Sequence, residues 1–477
     1  MVIGAGMSGL LWGVRLREAG FDEFVIYEKG DRLGGTWRDN TYPGLSCDVP
    51  SHLYSYSFAP NPDWSRRFSP GEEIWSYFQS VAERFHLDGA IRTNAEVVGC
   101  ERQDGRWHLT LADGSTDCAD FVICATGVLV HPQYPDIPGL ERFAGACFHS
   151  ARWDHGVELA GRRVGVIGTG STAVQIVSAL VEKVGHLALF QRTAQWIFPQ
   201  PNPAYADEDK ARFREDPDVM RHMYTSFSRS FADNFSNAVV DQHSPRMALV
   251  EEICRDNLER NVRDPELRAK LTPDYRAACK RLIMSEDFYA AIQHPHAELV
   301  TAGIECIEPG GVRTRDGVLH ELDVLVLATG FKPHAFMRPM QIVGRDGRRL
   351  EDYWADGARA YRSVSLPGFP NLFMMVGPNS PIGNFSLIQV AEIQCDYIMQ
   401  LVREVTEGRC REIAATDAAT ERFNQDLRAA MSGTIWVTGC RSWYLDDKGV
   451  PATWPWTFDR YLAEMGAPDL AAFERVA

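Results

Sequence analysis

Short apolar runs recur along the chain, each ending at glycine or a small polar residue. Phe24-Val25-Ile26-Tyr27, Phe121-Val122-Ile123-Cys124, Val164-Gly165-Val166-Ile167, Leu187-Ala188-Leu189-Phe190, Val324-Leu325-Val326-Leu327 and Leu372-Phe373-Met374-Met375-Val376 each have strand length and stop at a turn signal. Two of them lead into Ala-Thr-Gly turns, at 125–127 and 328–330. From about 203 to 294 the pattern changes: the stretch is charged, poor in glycine and helix-periodic, as in Met247-Ala248-Leu249-Val250-Glu251-Glu252-Ile253. His131-Pro132 to Pro138-Gly139 reads as a linker, and a helix is predicted from about Gln389. The alternation predicts an α/β protein of two similar units with a helical insertion at 203–294.

Two glycine-rich turns give those units a chemistry. Gly4-Ala5-Gly6-Met7-Ser8-Gly9 precedes the strand that ends in Glu28, and Gly168-Thr169-Gly170-Ser171-Thr172-Ala173 precedes the one that ends in Gln191-Arg192. From first glycine to charged residue the count is the same, 28 − 4 = 24 and 192 − 168 = 24. Such a strand–turn–helix–strand unit binds a dinucleotide: glycines admit the pyrophosphate, the helix N-terminus faces it, and the distal residue meets the ribose. An acid accepts from a free 2′-hydroxyl, so Glu28 points to FAD; an arginine suits a 2′-phosphate, so Arg192 points to NADPH. The fold class expected is therefore two Rossmann-like domains. An FAD domain takes 1–135 and 336–477, an NADPH domain takes 136–202 and 295–335, and the insertion lies within the latter. Only Met1-Val2-Ile3 precede Gly4, so the opening strand is expected to be clipped, with the native start upstream.

Composition narrows the partners. The chain has 477 residues, enough for two to three domains, and 49 basic against 64 acidic residues give a net charge of −15, which disfavours nucleic acid or an anionic membrane surface. No apolar stretch approaches a membrane span. Eleven cysteines are scattered without a CxxC or zinc-type spacing, which reads as reduced thiols, a cytoplasmic location and no metal site. A disulfide-reducing flavoenzyme needs a close cysteine pair beside the flavin, and Gly34-Gly35-Thr36 leads into Trp37 instead, leaving O2 as the obvious electron acceptor.

Between the two turns lies Phe143-Ala144-Gly145-Ala146-Cys147-Phe148-His149-Ser150-Ala151-Arg152-Trp153-Asp154. It resembles, at every fixed position, the fingerprint F-x-G-x-x-x-H-x-x-x-W-(P/D) of type I Baeyer–Villiger monooxygenases. The run Gly34-Gly35-Thr36-Trp37 through Tyr42-Pro43-Gly44 to Asp48 resembles a second pattern of that family. The resemblance implies an FAD- and NADPH-dependent enzyme that uses O2 to convert a ketone to an ester or lactone through a C4a-peroxyflavin, with sulfide oxidation as a side activity. It implies that Arg281, in Cys279-Lys280-Arg281-Leu282, is the catalytic cation, that Asp48 holds it, and that Lys280, Arg192 and Thr193 meet the NADPH phosphate. Thr36, Trp37, Tyr54 and Leu387 are expected along the flavin, and Trp443 on a mobile loop over the nicotinamide nucleotide. Phe143, Gly145, His149, Trp153 and Asp154 are expected at the interdomain linker, His149 as a hydrogen-bonded structural residue rather than a general base. Thr41 departs from the family, many members carrying a basic residue there. Two alternatives stand beside this reading: a flavin-containing N- or S-oxygenase, and a redox sensor that binds FAD and NADPH without oxygenating.

Overall fold

The computed structural model describes every residue except Asp447 and Pro451. Two five-stranded parallel sheets form its frame. In the first, the order is Leu372–Met374, Val122–Cys124, Val2–Ile3, Ile26–Tyr27, Ile91–Arg92. The apolar runs become strands because both faces of a parallel sheet are covered; Val2, Ile26, Val122 and Leu372 are all fully buried. Burial of side chains of this size is worth about 1.5–3 kcal/mol each. The run Phe24–Tyr27 yields only a two-residue strand, Ile26–Tyr27, because its neighbour Val2–Ile3 offers just two pairing positions. The second sheet runs Ala297–Val300, His186–Phe190, Arg163–Ile167, Val324–Leu327, Ala146–His149.

The charged stretch folds chiefly as helices: Asp207–Glu215, Pro217–Phe231, Pro245–Asn261 and Pro265–Leu271. Three of them begin with proline, just inside a cap from Asp216, Ser244 or Asp264, the arrangement that satisfies a first turn cheaply. The stretch is not wholly helical. Ile283–Met284 returns as a strand parallel to Ile197–Phe198, which places Lys280 and Arg281 at the strand's entrance, between the two units. The helix predicted from Gln389 spans Leu387–Thr406. A four-stranded sheet, Gln341–Val343, Val97–Gln103, Arg106–Leu111 and Thr116–Ala119, lies outside the predicted elements. No helix among the described residues is long and apolar enough to cross a membrane.

The expectation that the cysteines are reduced is corrected by the structure. Cys279 and Cys440 form a disulfide, their Cα atoms 6.1 Å apart and their positions separated by 161 residues. Spacing in sequence says nothing about thiols that only folding brings together. The compartment inferred from scattered free thiols loses that support; the other nine cysteines are free.

One ion pair ties the central strands of the second sheet at their start. Asp323 accepts from the Arg163 backbone amide (2.9 Å) and from its Nη2 (2.8 Å). These hydrogen bonds hold the carboxyl down at about 2. A carboxylate depressed in the fold stabilises above its unfolded value of about 3.9 and loses that contribution as pH falls through the folded value. Asp323→Asn is therefore expected to unfold at lower denaturant than the parent at pH 7. The gap should close between about pH 4 and about pH 2, as read by urea melts across that range.

Candidate active site

Each glycine turn is built against the far end of its own sheet. Gly4 has φ +103° and Gly168 has φ +125°, left-handed values that side chains avoid. A methyl on Gly4 would strike the carbonyl of Ala125, and one on Gly168 the carbonyl of Ala328, so both Ala-Thr-Gly turns back a glycine cradle in the same way. Beyond the contact, space is open: a methyl on Gly170 would meet no atom within 4 Å, and one on Gly6 would face only Gly35, at 3.5 Å. The helices Met7–Glu18 and Ser171–Leu180 begin at these turns, with Gly9 inside the first and Ser171 opening the second. The cradles fit a pyrophosphate on a helix N-terminus.

Glu28 is buried at the end of its strand and holds the first turn together. Its carboxylate accepts from the amides of Ala5 (2.8 Å) and Gly30 (2.8 Å) and from Arg38 Nη1 (2.9 Å). Beside it, Gly35 opens a one-turn helix, Thr36–Asp39, that presents Thr36 and Trp37. Trp37 Nε1 donates to the Tyr54 hydroxyl (3.1 Å), and the two rings meet edge to face at 5.6 Å. Burial pushes the Tyr54 phenol well up. Leu387, partly buried, begins the helix that follows Gly383.

Arg281 and Asp48, 233 residues apart, form a hydrogen-bonded ion pair through Nη2. The two side chains keep 29% and 24% exposure, so the pair borders open space rather than core. Nη1 donates to the Gly383 carbonyl (3.3 Å). Burial opposes the charge on Arg281, but Asp48 and the Tyr444 hydroxyl more than offset it and raise its basicity. Tyr444 is a residue to which the sequence assigned no part. Local pattern carries no signal for a tyrosine that reaches an arginine from a distant segment.

A cavity of about 540 Å³ opens at the end of the second sheet, lined by Gln191, Arg192, Thr193, Lys270, Lys280 and Arg441 among others. Thr193 is fixed by its carbonyl, which accepts from the Thr169 hydroxyl (2.9 Å) of the glycine turn. Lys280 lies over the Tyr275 ring at 4.4 Å, and burial lowers its basicity. Lys270 and Arg441 add two cations that motif reading did not find. Trp443 does not line this cavity. Its ring lies tilted against Tyr444 at 4.3 Å, and its carbonyl accepts from His334 Nε2 (3.0 Å).

The fingerprint residues gather at the edge of the second sheet, on and around the strand Ala146–His149. His149 is 1% exposed; its Nδ1 accepts from the Ala151 amide (3.1 Å), which leaves the proton on Nε2, and Nε2 meets the Gly330 carbonyl (3.0 Å). Burial lowers its basicity further. Trp153 packs edge to face on Phe148 at 5.0 Å, and Phe143 lies against a small core beneath the sheet. A methyl on Gly145 would strike the Asp323 carbonyl. Asp154 is exposed and caps a turn through the Gly156 amide (2.9 Å).

Similarity to known proteins extends over the whole chain. A family model described as pyridine nucleotide-disulphide oxidoreductase matches residues 1–215. A Baeyer–Villiger monooxygenase of Streptomyces coelicolor is 40% identical, the alignment covering 99% of this chain and 92% of that protein. A second, from Pseudomonas aeruginosa, is 37% identical over 93% of this chain and 84% of the relative. Among solved structures, cyclohexanone monooxygenase in an open form superposes with a TM-score of 0.87 at 30% identity, covering 100% of this chain and 99% of that one. A steroid monooxygenase bound to NADP gives 0.88 at 28%, covering 100% and 98%. The chain belongs to the Baeyer–Villiger monooxygenase family.

Substituting Gly168 tests the second cradle. Gly168→Ala is expected to retain the yellow flavin and to lose NADP+ affinity by about tenfold or more, roughly 1.4 kcal/mol, in calorimetric titration.

Proposed function

We infer that the protein is a flavin-dependent Baeyer–Villiger monooxygenase that consumes NADPH and O2 and converts a ketone to an ester or lactone. The observation that supports this above others is the guanidinium of Arg281, fixed by Asp48 at the junction of two dinucleotide cradles. When bound, FAD accepts a hydride from NADPH and activates O2. Gly4, Gly6 and Gly9, with Glu28, Thr36, Trp37, Tyr54 and Leu387, are the residues that would hold it. Gly168, Gly170, Ser171, Arg192, Thr193 and Lys280 would hold NADPH, with Trp443 on the segment nearby. In this reading 1–135 with 336–477 form the flavin unit, and 136–202 with 295–335 the NADPH unit.

Arg281 supplies the electrostatics of the reaction. A guanidinium stays charged at any working pH, so it stabilises negative charge that develops on oxygen without surrendering a proton. Asp48 fixes the direction in which that charge points. Beside it the Trp37–Tyr54 pair, Tyr54 buried and Trp37 partly so, would help to keep water from a bound flavin. His149, with both nitrogens engaged by backbone, orders the linker between sheet and Ala-Thr-Gly turn and handles no proton in the chemistry. The substrate is a small-molecule ketone.

Two variants check these roles. Arg281→Ala is expected to keep its bound FAD and to lose ester formation by about 100- to 1,000-fold, measured as product per NADPH by gas chromatography. Undiminished ester would remove Arg281 from the chemistry. Arg192→Ala is expected to narrow the NADPH-over-NADH preference by about 1.5–3 kcal/mol, the worth of one charge-assisted contact, read from kcat/KM with each nucleotide.

A further inference from the structure

Arg281 is held from three separate segments. Asp48 takes Nη2, the Gly383 carbonyl takes Nη1, and the third neighbour is the hydroxyl of Tyr444. Tyr444 Oη and Arg281 Nη1 converge so closely on Gly383 (φ +89°) that a methyl there would strike both. The phenol is buried (5% exposed), and burial keeps it protonated, so it stands beside the guanidinium without adding a negative charge. Its ring is clamped by Trp443 at 4.3 Å and Trp436 at 5.7 Å, and its carbonyl accepts from the Ala452 amide (2.7 Å).

The segment that carries Tyr444 is covalently anchored beside the arginine. Cys279 lies two positions before Arg281 and Cys440 four before Tyr444, and the two cysteines are bonded. Both sulfurs are buried, with residue exposures of 0% and 8%. Ala278, just ahead of Cys279, is held at φ +62°, a left-handed value that costs a non-glycine residue and persists only where the surroundings impose it. The bond therefore joins the strand entrance bearing Lys280 and Arg281 to the turn bearing Arg441, Trp443 and Tyr444.

We propose that Tyr444 is a positioning residue for Arg281, and that the Cys279–Cys440 disulfide is the tether that keeps it in place. The inference rests on the reading of Arg281 given above. Loss of the hydroxyl leaves the guanidinium fixed by Asp48 and Gly383 alone, free to turn; loss of the tether releases the whole 440–444 segment.

The test uses the full-length, FAD-loaded protein. Tyr444→Phe keeps the ring and its packing and deletes only the hydroxyl. It is expected to retain the flavin, the melting temperature and the NADPH KM, and to lose coupling, with the ratio of hydrogen peroxide to ester rising by about tenfold on loss of one polar neighbour of a charged group. Hydrogen exchange in the peptide around 279–284 is expected to rise as well, a readout independent of turnover. Cys440→Ser should show the same two changes, and Tyr444→Phe combined with Cys440→Ser should be no worse than Cys440→Ser alone. Dithiothreitol reproduces the effect on the parent chemically. The S–S bond breaks, two S–H bonds form, and the reagent's two thiols pass on two electrons and two protons as they close to a cyclic disulfide. Titratable thiols should then increase by two in the parent and stay constant in Cys440→Ser.

Parent-like coupling and exchange in Tyr444→Phe would overturn the role of the hydroxyl. Unchanged exchange around Arg281 after reduction, or no gain of thiols, would overturn the tether. Should the parent make no ester from any ketone, the functional reading fails, while the exchange and thiol measurements still decide whether the tether orders Arg281.

Discussion

A guanidinium facing open space beside a carboxylate is costly to set up, since each charge gives up hydration that only its partner and a few hydrogen bonds restore. Arg281 meets that cost with contributions from distant parts of the chain: Asp48 from the first unit, Gly383 from the turn before the long helix, and Tyr444 from the C-terminal segment. Much of the fold can be understood as what brings these together. The short parallel pairing of Ile197–Phe198 with Ile283–Met284 returns the chain from the helical stretch and delivers Arg281 to the junction. The opposing carboxylate arrives on a loop that is itself docked on the second unit. There the Tyr42 hydroxyl meets Gln175 Oε1 (2.9 Å), and Gln175 Nε2 donates to the Ser46 carbonyl (3.0 Å).

That docking gives the Tyr42-Pro43-Gly44 run a physical meaning. Gly44 (φ +84°) lies so near the helix Ser171–Leu180 that a methyl would strike the Gln175 carbonyl. The loop before Asp48 is thus registered against the helix that starts at the second cradle. Thr41 is engaged by His155 Nε2 (2.8 Å), a further contact between the first glycine unit's loop and the segment before the second sheet. The Arg281–Asp48 pair thus links that docked loop to the strand entrance that follows the helical stretch.

What could be read from sequence was local. Glycine turns, the strands that flank them and the charged residue 24 positions on are short-range patterns, and the parallel sheets follow from them. Strand ends were less legible, because pairing partners limit them: Phe24 has strand character but no pairing position opposite Val2–Ile3. The pair Ile197–Phe198 and Ile283–Met284 is too short for any periodicity. Arg281 and Asp48 emerged only through family resemblance, since neither carries a pattern of its own. Tyr444, Arg441, Lys270 and the Cys279–Cys440 bond were not legible at all. Each acquires its partner or its place in the site from across the fold, and the residues on either side of them in the chain carry no sign of it.

The cradles themselves have a bearing on how the protein comes to hold its nucleotides. Gly4 is backed by the carbonyl of Ala125, and Gly168 by that of Ala328, each the residue just past a strand much later in the chain. A ribosome that has released only the opening strand, turn and helix of either unit has not yet made the wall behind its first glycine. The wall behind each first glycine is complete only when the late strand has slotted beside the early one, so the finished cradle is a product of sheet assembly rather than its starting point.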